Sequence, residues 1–135
     1  MLALQEKARQ GHHALLVALS GWLAAHGWQD IDEIPGAVDL WATRRRRRVL
    51  FEAKTGDPGI ARVRGALGQL LEYRYFYGKT ADALCIVAEH PLAERRCRML
   101  DSMDVGVLWQ DGDIFRPGSR TATELFGDEG EGRAG

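Results

Sequence analysis

The residues best suited to chemistry are three charges set inside two short apolar runs. Val49-Leu50-Phe51-Glu52-Ala53-Lys54 carries a carboxylate and an ammonium two positions apart, and Val38-Asp39-Leu40-Trp41 carries a second carboxylate shortly before them. Both runs contain β-branched or aromatic residues and are separated by a turn-like stretch, Thr43 to Arg48, so they predict two neighbouring antiparallel strands. Side chains alternate along a strand, which places Glu52 and Lys54 on one face and Phe51 and Ala53 on the other. Ionised groups on an apolar strand are costly unless they are paired or bind a metal, and Asp39 is within reach on the adjacent strand. The three charges mark either a site that holds a cation or a structural ion pair.

The elements that position them follow from periodicity. Leu2 to about His26 has no proline, and its apolar residues Leu15, Leu16, Leu19, Trp22 and Leu23 fall at helical spacing, with Gly27 as a stop. Glu6 and His13 share a face of this helix with Arg9 and Gln10 between them. Trp28 to Ile34 reads as a weak edge strand, and Pro35-Gly36 as a turn. After Lys54 the run Thr55-Gly56-Asp57-Pro58-Gly59 breaks the strand, and Ile60 to Phe76 resumes a helical pattern that Gly78 ends. Gly65 and Gly68 each weaken that helix by roughly 1 kcal/mol relative to Ala, which points to close packing or a nearby ligand. Asp82 to Ala88 has the uninterrupted apolar character of a central strand covered on both faces. Pro91 is expected to open a helix to about Leu100. Val105 to Trp109 and Ile114 to Arg116 flank Asp111-Gly112 as a β-hairpin. The predicted architecture is α/β, a mixed sheet flanked by helices, in which the Ile60 to Phe76 helix crosses between two parallel strands. Residues 1–126 are read as a single domain and 127–135, rich in Gly and acid, as a disordered tail.

Composition narrows the function. The chain has 135 residues, and its 45% hydrophobic and 27% charged content is that of an ordinary globular protein with a core that needs no staples. No apolar segment is long enough to span a bilayer and no signal-peptide pattern is present, so a cytoplasmic location without membrane contact is expected. Cys85 and Cys97 have no ligand-like spacing and read as free thiols. A net charge of −1 offers no general endorsement of nucleic-acid binding, but it averages over five consecutive arginines, Arg44 to Arg48, and the acidic tail.

In this order of elements the residues resemble the PD-(D/E)XK nuclease superfamily, the restriction-endonuclease-like fold, whose core is αβββαβ. Residues of about 2 to 88 are similar to that core in order and length. The family pattern, an Asp on one strand and Glu-x-Lys on the next, is matched by Asp39, twelve intervening residues, then Glu52-Ala53-Lys54. Val38 stands where the superfamily's name has Pro. Gln69-Leu70-Leu71-Glu72-Tyr73 resembles the Gln-x-x-x-Tyr element of the exonuclease-like branch, which also tends to place a His on the first helix as an extra metal ligand. His13 matches it, and His12 is the less favoured choice.

The resemblance implies a metal-dependent deoxyribonuclease. Hydrolysis of an anionic phosphodiester needs a cation on the phosphate and a water made more acidic. Asp39 and Glu52 supply hard oxygens suited to Mg²⁺, with Mn²⁺ as a substitute, and the resemblance implies the Ala53 carbonyl as a further ligand. Lys54 would position or deprotonate the attacking water and stabilise the pentacovalent phosphorus. Gln69 would orient Lys54 or a water, and Tyr73 would contact the substrate backbone, against the alternatives of a surface amide and a packed ring. For Glu6, an ion pair with Arg9 is the favoured reading.

Five arginines in a hairpin must splay to both faces, so only some can meet one phosphate backbone. A phosphate clamp beside the active site is favoured over a solvated turn, because the hairpin joins the two charged strands. Arg44, Arg46 and Arg48, with Arg64 and Tyr73 on the following helix, are the nucleic-acid contacts expected. An endonuclease of structure-specific, restriction or defence type acting on DNA leads, as a homodimer or with a larger complex that supplies targeting. The alternative is an inactive nuclease-fold module for nucleic-acid binding or assembly.

Overall fold

The structure, a computed structural model, describes residues 2–34, 38–56 and 59–127. Six strands form one sheet in chain order: β1 (Gln29–Ile34), β2 (Val38–Arg44), β3 (Arg47–Lys54), β4 (Ala83–Ala88), β5 (Val105–Asp111) and β6 (Ile114–Pro117). The helices are α1 (Leu2–Ala25), α2 (Ile60–Phe76), α3 (Glu94–Asp101) and α4 (Arg120–Phe126). β1, β2 and β3 form an antiparallel meander. β3 runs parallel to β4 and β4 to β5, and β6 closes antiparallel on β5. The first six elements therefore run αβββαβ, as the sequence predicts. The expected turn at Pro35-Gly36, the break at Asp57-Pro58 and the tail 127–135, apart from Gly127, which ends the last helix with its N–H on the Thr123 carbonyl, lie outside the described residues.

Both faces of the sheet are covered. Leu15, Leu16, Leu19 and Leu23 of α1 and Ala122, Leu125 and Phe126 of α4 pack on Leu40, Phe51, Ala53, Cys85 and Val87. Val63, Ala66 and Leu70 of α2 and Cys97 and Leu100 of α3 pack on Leu50, Leu84, Ile86, Val105 and Val107. All six residues of β4 are buried, which is why its sequence is continuously apolar. Each fully buried leucine contributes on the order of 2 kcal/mol from removed apolar area. Cys85 and Cys97 are buried free thiols, and burial pushes both thiol pKa values up. Among the described residues no helix is long and apolar enough to cross a membrane.

Two expectations need correction, and one helix has no counterpart among them. Thr43 to Arg48 is mostly strand: β2 and β3 pair as far as Arg44 opposite Arg47, leaving only Arg45 and Arg46 in the turn. Pro91 does not open α3. Leu92 is buried in the α2–α3 face, and the helix starts only at Glu94, after the extended Ala93. The helix α4 was not foreseen. It is seven residues long, and the Ser119 hydroxyl caps it by accepting from the Ala122 N–H, while the Asp101 carboxylate accepts from the N–H groups of Arg120 and Thr121. Burial works to raise the Asp101 pKa, but those two N–H donors hold it below the ordinary carboxylate value. The seryl cap followed by Leu125-Phe126 was the available signal.

Candidate active site

The main-chain ladder between β2 and β3 reaches Leu40 opposite Phe51 and goes no further. Beyond it side chains bridge the two strands. The Ala53 N–H donates to Asp39 Oδ2 at 2.8 Å, and the Asp39 N–H donates to Glu52 Oε1 at 3.2 Å. Core membership explains the opening: Val38 packs on the α2–α3 face but Leu40 on the α1–α4 face, so the alternation of β2 breaks at Asp39. A strand residue directs its N–H and C=O to the same side, so the Ala53 carbonyl is turned toward the same opening.

Lys54 and Gln69 complete the arrangement from the side of α2. Lys54 Nζ lies 3.6 Å from Glu52 Oε2 and donates to Gln69 Oε1 at 3.1 Å. From α1, His12 Nε2 stands 3.0 Å from Asp39 Oδ2. His13, the favoured choice from sequence, is exposed, and a neighbouring residue on a helix is turned by about 100°, so only one of the two can face β2. The structure supplies the phase: His12 precedes the buried Leu15, Leu16 and Leu19 by three, four and seven positions, whereas Val17, four positions after His13, is exposed. Glu6 accepts from Arg9 at 2.6 Å, as expected.

Glu52 is the most confined of these groups, with 2% of its surface exposed. Burial and, after it, the negative charge of Asp39 raise its pKa to about 7, against the opposing pull of Lys54 and the Asp39 N–H. One lysine therefore does not balance two carboxylates here. Among the described residues no three His, Cys, Asp or Glu side chains are grouped to enclose a metal ion. The side-chain donors that do converge are two carboxylates, both hard oxygens.

The arginines do not join them. Arg47 and Lys54 begin and end β3, a separation of about 23 Å at strand rise, so the arginine turn sits at the opposite end of the sheet from the carboxylates. A clamp beside the site is thereby corrected. Arg44 donates to the carbonyls of His26 and Leu125 and covers the Trp28 ring, which ties α1 and α4 to the sheet edge. Arg48 pairs with Asp82 and covers Trp41. Burial works to raise the Asp82 pKa, but the Arg48 guanidinium and the Lys79 N–H hold it down. Arg64 is exposed and, five residues before Gln69, is rotated from it by about 140° onto the other flank of α2. Tyr73 is half-buried against the α2–α3 face and its ring stands 5.5 Å from that of Tyr77. The glycines of α2 are not sites of close packing: a Cβ at Gly65 or Gly68 would meet nothing within 4 Å.

No protein-family model matches the chain, and no curated protein matches it either. Among solved structures it is similar to an XisH family protein from Nostoc punctiforme (TM-score 0.55, 19% identity) and to an fdxN element excision controlling factor protein from Anabaena variabilis (TM-score 0.56, 19% identity), each match covering 76% of this chain and 95% of the other. It is also similar to a repair endonuclease from Pyrococcus abyssi (TM-score 0.56, 18% identity), where 76% of this chain covers 46% of that one. Likeness at such identity is a likeness of fold. With the mixed six-stranded sheet, it makes this a restriction-endonuclease-like α/β fold.

Proposed function

We propose that the chain is a metal-dependent nuclease that hydrolyses phosphodiester bonds in DNA. The observation that carries this is the convergence of Asp39, Glu52, the Ala53 main chain and Lys54 at the one place where β2 and β3 part. The likeness of the fold to a repair endonuclease supports it.

Asp39, Glu52 and the Ala53 carbonyl would hold Mg²⁺, with Mn²⁺ as a substitute. The donor set fits, since Mg²⁺ keeps several waters and takes one or two carboxylates plus substrate oxygens, and the unbalanced negative charge at Glu52 is what a dication offsets. When bound, the cation supplies charge neutralisation at the phosphate and a more acidic water. The chain's own residues do the rest. Lys54 is positioned to hold a water or the phosphate by its ammonium and to exchange a proton with that water. Gln69 fixes Lys54, and His12 fixes Asp39 so that its carboxylate keeps facing the opening.

The test is cleavage of a substrate panel (linear duplex, supercoiled plasmid, single strand, four-way junction and RNA) with Mg²⁺ or Mn²⁺. The expected result is metal-dependent cutting of DNA that falls by about a hundredfold or more in Lys54→Ala. Binding without any cutting would sink this reading in favour of an inactive nucleic-acid-binding module.

A further inference from the structure

The far end of α2 carries features that the site above does not use. Tyr75, Phe76 and Tyr77 are 81%, 66% and 74% exposed, and the rings of Tyr75 and Phe76 meet edge to face at 5.0 Å. Beside them lies the arginine turn. Arg45 and Arg46 have φ of 54° and 67°, the left-handed pair of a two-residue hairpin that normally takes Asn or Gly. A side chain in that region costs about 1–2 kcal/mol. Strain kept at an exposed turn points to a use for the side chains that impose it.

The aromatic and basic groups border one continuous surface. Arg46, Arg47 and Lys79 line one hollow. Arg47 also lines a second with Arg74 and Thr80, and those two residues line a third beside Tyr75 and Phe76. Asp82, the acid of the first two hollows, is already paired with Arg48. Asp104 and Glu124 edge the middle hollow, the latter paired with Arg120, and Glu72 edges the third, so the phosphates are placed on the Arg46, Arg47 and Lys79 side.

We propose that this surface binds an unpaired stretch of nucleic acid, with bases stacked on Tyr75 and Phe76 and phosphates against Arg46, Arg47 and Lys79. Cations alone would accept any polyanion. Exposed ring faces add a requirement for bases that are free to leave a stack, which a single strand meets and a duplex does not. A second copy of the chain fits less well, because a two-fold interface would set three cations against the same three. The link to catalysis rests on the nuclease reading: Phe76 follows Gln69 by seven residues, so it lies on the same flank of α2 about 10 Å further on, along the path of a strand leaving Lys54.

The experiment is fluorescence anisotropy in EDTA with a labelled oligothymidylate of about 20 nucleotides and a duplex of equal length, long enough to span one binding track. Wild type should bind the single strand more tightly than the duplex. Tyr75→Ser/Phe76→Ser should weaken single-strand binding about tenfold or more. Arg46→Gly should raise the melting temperature, since glycine relieves the positive φ, and yet weaken binding and flatten its log–log salt slope by about 0.7. Opposite changes in stability and affinity separate binding from folding. Wild type that binds neither probe overturns the proposal, and so does unchanged affinity in both variants. Loss of a dimer in the aromatic variant at unchanged affinity also overturns it, and assigns the patch to self-association. Metal-dependent cleavage that needs Lys54 alongside unaltered binding in the patch variants would sink this proposal and keep the nuclease reading; patch-dependent binding without any cleavage would do the reverse.

Discussion

At the scale of single residues the decisive group is Glu52. Its folded pKa of about 7 lies above the ordinary carboxyl value, so in the metal-free protein it holds its proton longer than the unfolded chain does. Between about pH 4.5 and 7 the native state binds more protons than the unfolded state, and stability falls as pH rises through that window. Above it the accumulated cost is on the order of 3 kcal/mol, because each unit is worth about 1.4 kcal/mol. Glu52→Gln should therefore raise the melting temperature in EDTA at pH 8 and leave it nearly unchanged at pH 4.5. Equal shifts at both values would show that burial of this carboxyl is not the cause. Residue identity made Asp39, Glu52 and Lys54 legible in the sequence. It misassigned the histidine, because the resemblance indicated a first-helix His without the helical phase that separates His12 from His13.

At the scale of elements, α2 works as a ruler. Its middle brings Gln69 to Lys54, and its C-terminal end reaches the arginine turn, so one helix links the site to the other end of the sheet. Gly65 and Gly68 interrupt it without any neighbour that needs the space. Replacing either with Ala should stabilise the helix by about 1 kcal/mol. Because a Cβ at either position meets nothing, both variants should cleave as wild type does; thermal melts and cleavage rates on both check this, and a slowed Gly65→Ala would place substrate against that flank of α2. The limits of α2 were legible because its apolar positions recur over 17 residues. Those of α4 were not, since seven residues give too few turns for a period, and much of its capping comes from Asp101, remote in sequence. The arginine clamp was misplaced for a related reason: a hairpin joins two strands, but only at the end away from Asp39 and Lys54.

At the scale of the whole molecule the sheet separates support from chemistry. Two apolar faces hold the strands in register, and the charged groups collect where the β2–β3 ladder stops, so the core does not depend on the site. A cation bound there would be an added stabiliser and not a structural staple. Mg²⁺ or Mn²⁺ at a hundred times its dissociation constant should stabilise the wild type by about 2.7 kcal/mol, read as a rise in melting temperature. The rise should vanish in Asp39→Asn and in Glu52→Gln, although the latter is by itself more stable at pH 8. Two effects of opposite sign in one variant distinguish a metal site from a mere ion pair. In an ion pair, joint replacement of Glu52 and Lys54 by Gln and Met would be neutral or stabilising, and metal would shift neither protein.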